Sequence, residues 1–79
     1  MDEQRKREWY AQVAGLCESK AEEFALLGYE NVTAEDVWEC VTAAYKDIPP
    51  LHRLVNDILS LKPTKYMNWL MLQMYKQSQ

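Results

Sequence analysis

The stretch Leu26–Trp38, LLGYENVTAEDVW, decides the fold, because it stops one helix and starts another within a few residues. Gly28 follows Leu27 and can take the left-handed conformation that ends a helix without steric cost. Tyr29 is then placed to fold back on Phe24, the apolar contact that accompanies such an end. Thr33 suits an N-cap, and Asp36, three residues later, occupies the place of the return partner in a capping box, where Glu is the usual residue. Val32 and Val37 have the spacing of a hydrophobic staple. Glu35 and Asp36 match the positive end of the new helix dipole.

Working outward, helical spacing dominates and no strand-like alternation, repeat or low-complexity tract occurs. The first helix is expected over 4–27, with Trp9, Val13, Leu16, Cys17, Ala21, Phe24 and Leu27 on one side. Lys20 falls in that stripe, and its stem can lie along the core while the ammonium reaches water. The second helix, 34–46, turns Val37, Val41 and Ala44 inward, with Trp38 and Tyr45 flanking them, until Asp47-Ile48-Pro49-Pro50 breaks it. A third helix, 50–61, begins at Pro50, which is acceptable in a first turn, and carries Leu51, Leu54, Val55, Ile58 and Leu61 on one face. Lys62-Pro63 closes it, and Thr64 caps a fourth helix, 65–76.

At about 100° per residue, Met67, Leu70, Met71 and Met74 form one face of the fourth helix, with Tyr66 and Tyr75 at its edges. Trp69 and Leu72 fall on the other side, near Lys65, Asn68 and Lys76. The expected architecture is therefore all-α: a small four-helix domain, a single unit over residues 1–79, with an apolar patch on the outside of its last helix.

Composition bounds the function. The chain has 79 residues, 48% hydrophobic and 27% charged, which is globular rather than disordered. No apolar run is long enough to span a bilayer, and MDEQRKREW has charge but no apolar segment behind it, so neither membrane insertion nor a signal peptide is expected and the location is cytoplasmic. Cys17 and Cys40 then read as reduced, packed thiols. They and the single His52 supply no zinc-ligand set, and no metal or cofactor is expected.

No catalytic constellation can be assembled. His52 has no nucleophile or orienting carboxylate at a telling spacing, and there is no Gly-rich phosphate loop. Glu22, Glu23, Glu35, Asp36 and Glu39 follow solvent faces, so the reading is a non-enzyme. A net charge of −3 weakens any electrostatic grip on nucleic acid. The basic run Arg5-Lys6-Arg7 is flanked by Asp2, Glu3 and Glu8, and a would-be recognition helix offers only His52, Arg53, Asn56 and Asp57. A direct nucleic-acid binder using the basic N-terminus and Arg53 is the alternative. The fourth helix lacks the Lys- and Arg-rich polar face of a membrane-surface helix, and its outer apolar residues call for cover by a protein partner or by a second copy, a homodimer through the fourth helix. The expected contact residues are Trp69 and Leu72 with Lys65 and Lys76 as rim charges, and Trp38 as a second candidate.

LLGY followed by VTAEDVW, then LHRLVNDILSL and the YMNW run, resemble the ComN-like post-transcriptional regulator family of Gram-positive bacteria, over residues 20 to 72. The resemblance implies a non-enzymatic regulator that raises late-competence transcripts after transcription. It also implies a polar-scaffold partner resembling DivIVA, which would bring the protein to cell poles or the septum. The contact residues come from the helical projection, not from the family.

Overall fold

In a computed structural model the chain is described over residues 3–47 and 49–77. Asp2 and Ile48, on which parts of the sequence reading fell, lie outside the described residues. Four helices carry the regular structure: α1 (Glu3–Leu26), α2 (Ala34–Thr42), α3 (Leu51–Leu59) and α4 (Pro63–Gln77), and no strand occurs among the described residues. The all-α expectation holds.

The corner between α1 and α2 is built as the local chemistry dictates. Gly28 has φ of 101°. Its N–H donates to the Ala25 carbonyl at 3.0 Å, and the Tyr29 N–H donates to the Phe24 carbonyl at 2.8 Å. This pair of bonds is a Schellman ending, and the Tyr29 ring closes it by packing 6.3 Å from Phe24, centroid to centroid. Thr33 then adopts an extended backbone, its Oγ1 accepting from the Asp36 N–H at 3.1 Å while Asp36 Oδ2 accepts from the Thr33 N–H at 3.0 Å. The box satisfies two donors that the first turn of α2 would otherwise leave open.

The later boundaries differ from the expected ones. α2 stops at Thr42 rather than residue 46. Thr42 Oγ1 donates back to the Trp38 carbonyl at 2.8 Å, and the Tyr45 N–H bonds the Thr42 carbonyl at 3.1 Å, a tightened final turn. Tyr45 leaves the helix path to donate its hydroxyl to Asp57 of α3. Ala44, expected in the core, lies beyond the helix end and is exposed. α3 closes at Ser60, whose N–H bonds the Asn56 carbonyl at 2.9 Å. Pro63 opens α4 instead of closing α3, so Thr64 is inside the helix rather than its cap. Proline favours the first helical position because its φ is already helical and its missing N–H would have no partner there.

α1 is the spine: it packs most extensively on α2, then on α3, while α4 rests chiefly on α2. The deepest side chains are Val13, Cys17 and Phe24 of α1, Val37 of α2, and Leu54 and Ile58 of α3. Leu27, expected in the stripe, is 59% exposed, because it lies past the last turn of α1. Trp38 is not at an edge: it is 5% exposed, with its ring 5.3 Å from Tyr10 of α1. The flat wall of Tyr10 draws this large ring inward, where it buries more apolar area than a β-branched neighbour would.

Lys20 departs further from expectation. The side chain is 6% exposed, and its ammonium is held by two partners in the fold. Nζ donates to the Leu59 carbonyl at 2.9 Å and to Glu23 Oε2 at 3.0 Å. A cation from α1 thus caps the negative end of α3, satisfying one of the last carbonyls of that helix and favouring its dipole.

Candidate protein interface

Two short helices cannot cover a longer one. α2 and α3 have nine residues each and α4 has fifteen, about 13 Å of helix against about 22 Å. The N-terminal half of α4 is therefore anchored and its C-terminal half is not. Tyr66, 4% exposed, is the anchor: its ring lies 5.9 Å from Phe24, edge to face, and 5.9 Å from Trp69. Met67, Trp69 and Leu70 are half-buried against the core beside it.

This aromatic seam rotates α4 by roughly a quarter turn from the facing read off the methionines. Tyr66, Trp69, Leu70 and Gln73 turn inward, and the methionine face turns out. Met71 and Met74, expected in the core, are 53% and 62% exposed. Leu72 and Tyr75 are 60% and 68% exposed, so the last turns of α4 show solvent an almost unbroken apolar surface. A groove of about 270 Å³ between the α1–α2 corner and α4 ends on the same helix, lined by Tyr29, Val32, Met67 and Leu70 among others.

Of the residues expected to make contact, Leu72, Lys65 and Lys76 are exposed on α4. Trp69 is half-buried, and its Nε1 has no hydrogen-bond partner among the described residues. Trp38 is in the core, which leaves a partner little of it to touch. Met71, Met74 and Tyr75 join the candidate face although the helical projection placed them on or beside the buried side. The signal that could have found them is the crowding of Tyr66 and Trp69 on one flank, since two aromatic rings outweigh flexible methionines in choosing what to bury.

The charges on α4 set it apart. It carries Lys65 and Lys76 and no acidic residue. Removing those two lysines from nine basic side chains leaves seven against twelve acids, a net of −5 for the rest of the chain. Among the described residues neither lysine forms an ion pair.

Two residues of the nucleic-acid alternative, Lys6 and Arg53, have acidic neighbours. Lys6 pairs with Glu39 at 3.4 Å, and the shallow site around Lys6 and Arg7 also holds Glu3, Glu35 and Glu39. Arg53 lies 5.5 Å from the Tyr45 ring centroid, with Nε 3.8 Å from Asp57 Oδ2. Burial, then the hydrogen bond to Asp57, holds the Tyr45 phenol well above its usual range. Both cysteines are free and buried. Burial first, then Glu18 and Glu35, pushes the Cys17 thiol up to about 11, and burial raises Cys40 as well. Thiols of that kind are poor nucleophiles at neutral pH. Among the described residues no three His, Cys, Asp or Glu side chains gather as a metal set would, and no helix is long and apolar enough to cross a membrane.

Residues 6–79 match a family described as Post-transcriptional regulator. The chain is also similar to the Post-transcriptional regulator ComN of Bacillus subtilis (strain 168), 36% identical over 63 residues that cover 76% of this chain and 64% of that protein. The match thus spans less than two thirds of the relative's length. No solved structure matches the chain.

Proposed function

The chain belongs to the post-transcriptional regulator family, and from that premise we propose that it is a small non-enzymatic adaptor acting through protein–protein contacts. A regulatory role follows from family membership; the adaptor mechanism is the proposal. The observation that carries it is the outer face of α4, where Met71, Leu72, Met74 and Tyr75 are each more than half exposed. An apolar surface of this kind favours association, since covering it removes large, adaptable side chains from water. The overall acidity supports effects on transcripts that run through protein partners rather than through a direct grip on RNA. Late-competence transcripts, a DivIVA-like polar scaffold as partner, and recruitment to poles or septum by that scaffold belong to the same proposal, from the family resemblance.

The test is a tagged pull-down from cytosol, divided with and without RNase, run in parallel with Leu72→Asp. Protein partners are expected to survive RNase and to be lost with the variant. If the partners vanish with RNase, or the purified chain binds RNA with steep salt dependence, the protein works on RNA directly and the adaptor reading falls.

A further inference from the structure

Along α4, Lys65, Leu72 and Lys76 fall on one stripe at spacings of seven and four residues. The two lysines' backbone positions stand about 16 Å apart along the helix axis, with Leu72 between them. Tyr75 and then Met71 extend the apolar surface on one side of that stripe, while Met74 lies farther round the helix, nearly opposite Leu72. Cationic ends around an apolar centre, on a helix with no acid of its own, define the complement they require.

We propose that the outer face of α4 docks an acidic amphipathic helix of a partner protein, with its apolar stripe on Leu72 and a carboxylate near each of Lys65 and Lys76. This rests on the adaptor reading and names the partner chemistry of the same face. The partner helix carries two acidic residues about eleven positions apart, on one flank of apolar residues spaced by three and four. Charge complementarity of this kind fixes register and suppresses wrong partners more than it adds affinity.

The charges also argue against the other occupants. In a two-fold antiparallel pairing of α4 with itself centred midway between Lys65 and Lys76, at Leu70–Met71, Lys65 of each copy meets Lys76 of the other, so like charges face each other at both ends. An anionic membrane surface would meet only two lysines, short of the basic cluster such binding needs.

The test uses the full chain and two synthetic helical peptides that share one Leu stripe and differ only in bearing two Glu or two Lys at eleven-residue spacing. Binding is read by fluorescence anisotropy of the labelled peptides. The Glu peptide is expected to bind about tenfold tighter than the Lys peptide at low salt, with the gap closing as salt rises. In a Lys65→Glu, Lys76→Glu variant the preference is expected to invert, and in Leu72→Ala both peptides are expected to weaken. All these sites are exposed, and far-UV circular dichroism checks that each variant keeps its helices. Equal binding of the two peptides, no binding of either, or no inversion overturns the proposal. So does a dimer in sedimentation equilibrium that Leu72→Asp disperses, or binding to phosphatidylglycerol vesicles that Leu72→Asp abolishes, because each gives the face to another occupant. If Leu72→Asp removes the RNase-resistant partners but the peptides show no acidic preference, this proposal alone fails. If those partners remain bound to Leu72→Asp, the adaptor face and this proposal fall together.

Discussion

Lys20→Met asks what the buried ammonium does for the fold. Two hydrogen bonds are lost: 2.9 Å to the Leu59 carbonyl and 3.0 Å to Glu23. They are not equal. The Glu23 side chain is 55% exposed, so that pair behaves as a surface ion pair, at about 1 kcal/mol or less. The Leu59 carbonyl ends α3 beside a lysine only 6% exposed, and losing this hydrogen bond from a charged donor costs about 1.5–3 kcal/mol. Methionine keeps most of the apolar stem and removes a charge that was expensive to bury, which offsets part of the loss. The expected net is a destabilisation of about 1–2 kcal/mol for Lys20→Met, and about 2–4 kcal/mol for Lys20→Ala, which also loses the stem's packing. For a chain of this size that is a fall in Tm of roughly 4–16 °C for the methionine variant. Glu23→Gln is the control and is expected to change stability by about 0.5 kcal/mol at most. Urea unfolding followed by far-UV circular dichroism reads all three. A methionine variant as stable as the parent, or a Glu23→Gln loss as large as that of Lys20→Met, would refute the idea that the α3 carbonyl end depends on this cation.

Other perturbations test other links. Gly28→Ala is expected to destabilise by about 1–2 kcal/mol, because φ is 101° while an added Cβ would meet nothing within 4 Å, so the penalty is backbone conformation alone. Gly15→Ala, mid-α1 and equally unobstructed, is expected to stabilise by about 0.5–1 kcal/mol; in thermal melts, destabilisation by Gly15→Ala or stabilisation by Gly28→Ala would contradict the assignment at that position. Trp69→Ala is expected to cost about 1–3 kcal/mol through lost packing on Tyr66, whereas Trp69→Phe keeps most of the ring contact, removes the unpartnered Nε1–H and stays within about 1 kcal/mol of the parent in urea melts. The raised Cys17 thiol gives a pH signature. Below the unfolded value of 9.0 both states hold the proton and stability is unaffected; between there and about 11 the unfolded thiol ionises first, so stability falls as pH rises. Unfolding curves taken across that window check it in parent and Cys17→Ala, and an equal slope in both would remove Cys17 as a source.

What the sequence by itself determined is what closes within a few residues. The Gly28 ending, the Tyr29–Phe24 contact and the Thr33–Asp36 box need only partners up to five positions away, so residue identity and spacing suffice. The all-α class followed likewise, from helical periodicity along the whole chain. Tertiary structure decided the rest. α4 is apolar on several sides, so its periodicity admits more than one buried face, and the choice was made by Phe24, forty-two residues upstream of Tyr66, whose ring selects the aromatic flank and leaves the methionines outside. Trp38 went inward because Tyr10 stood ready across the α1–α2 packing, and Lys20 found its acceptor on α3, thirty-nine residues away. The direction a side chain takes on an ambiguous helix depends on which distant surface meets it, and that surface exists only once the chain has packed.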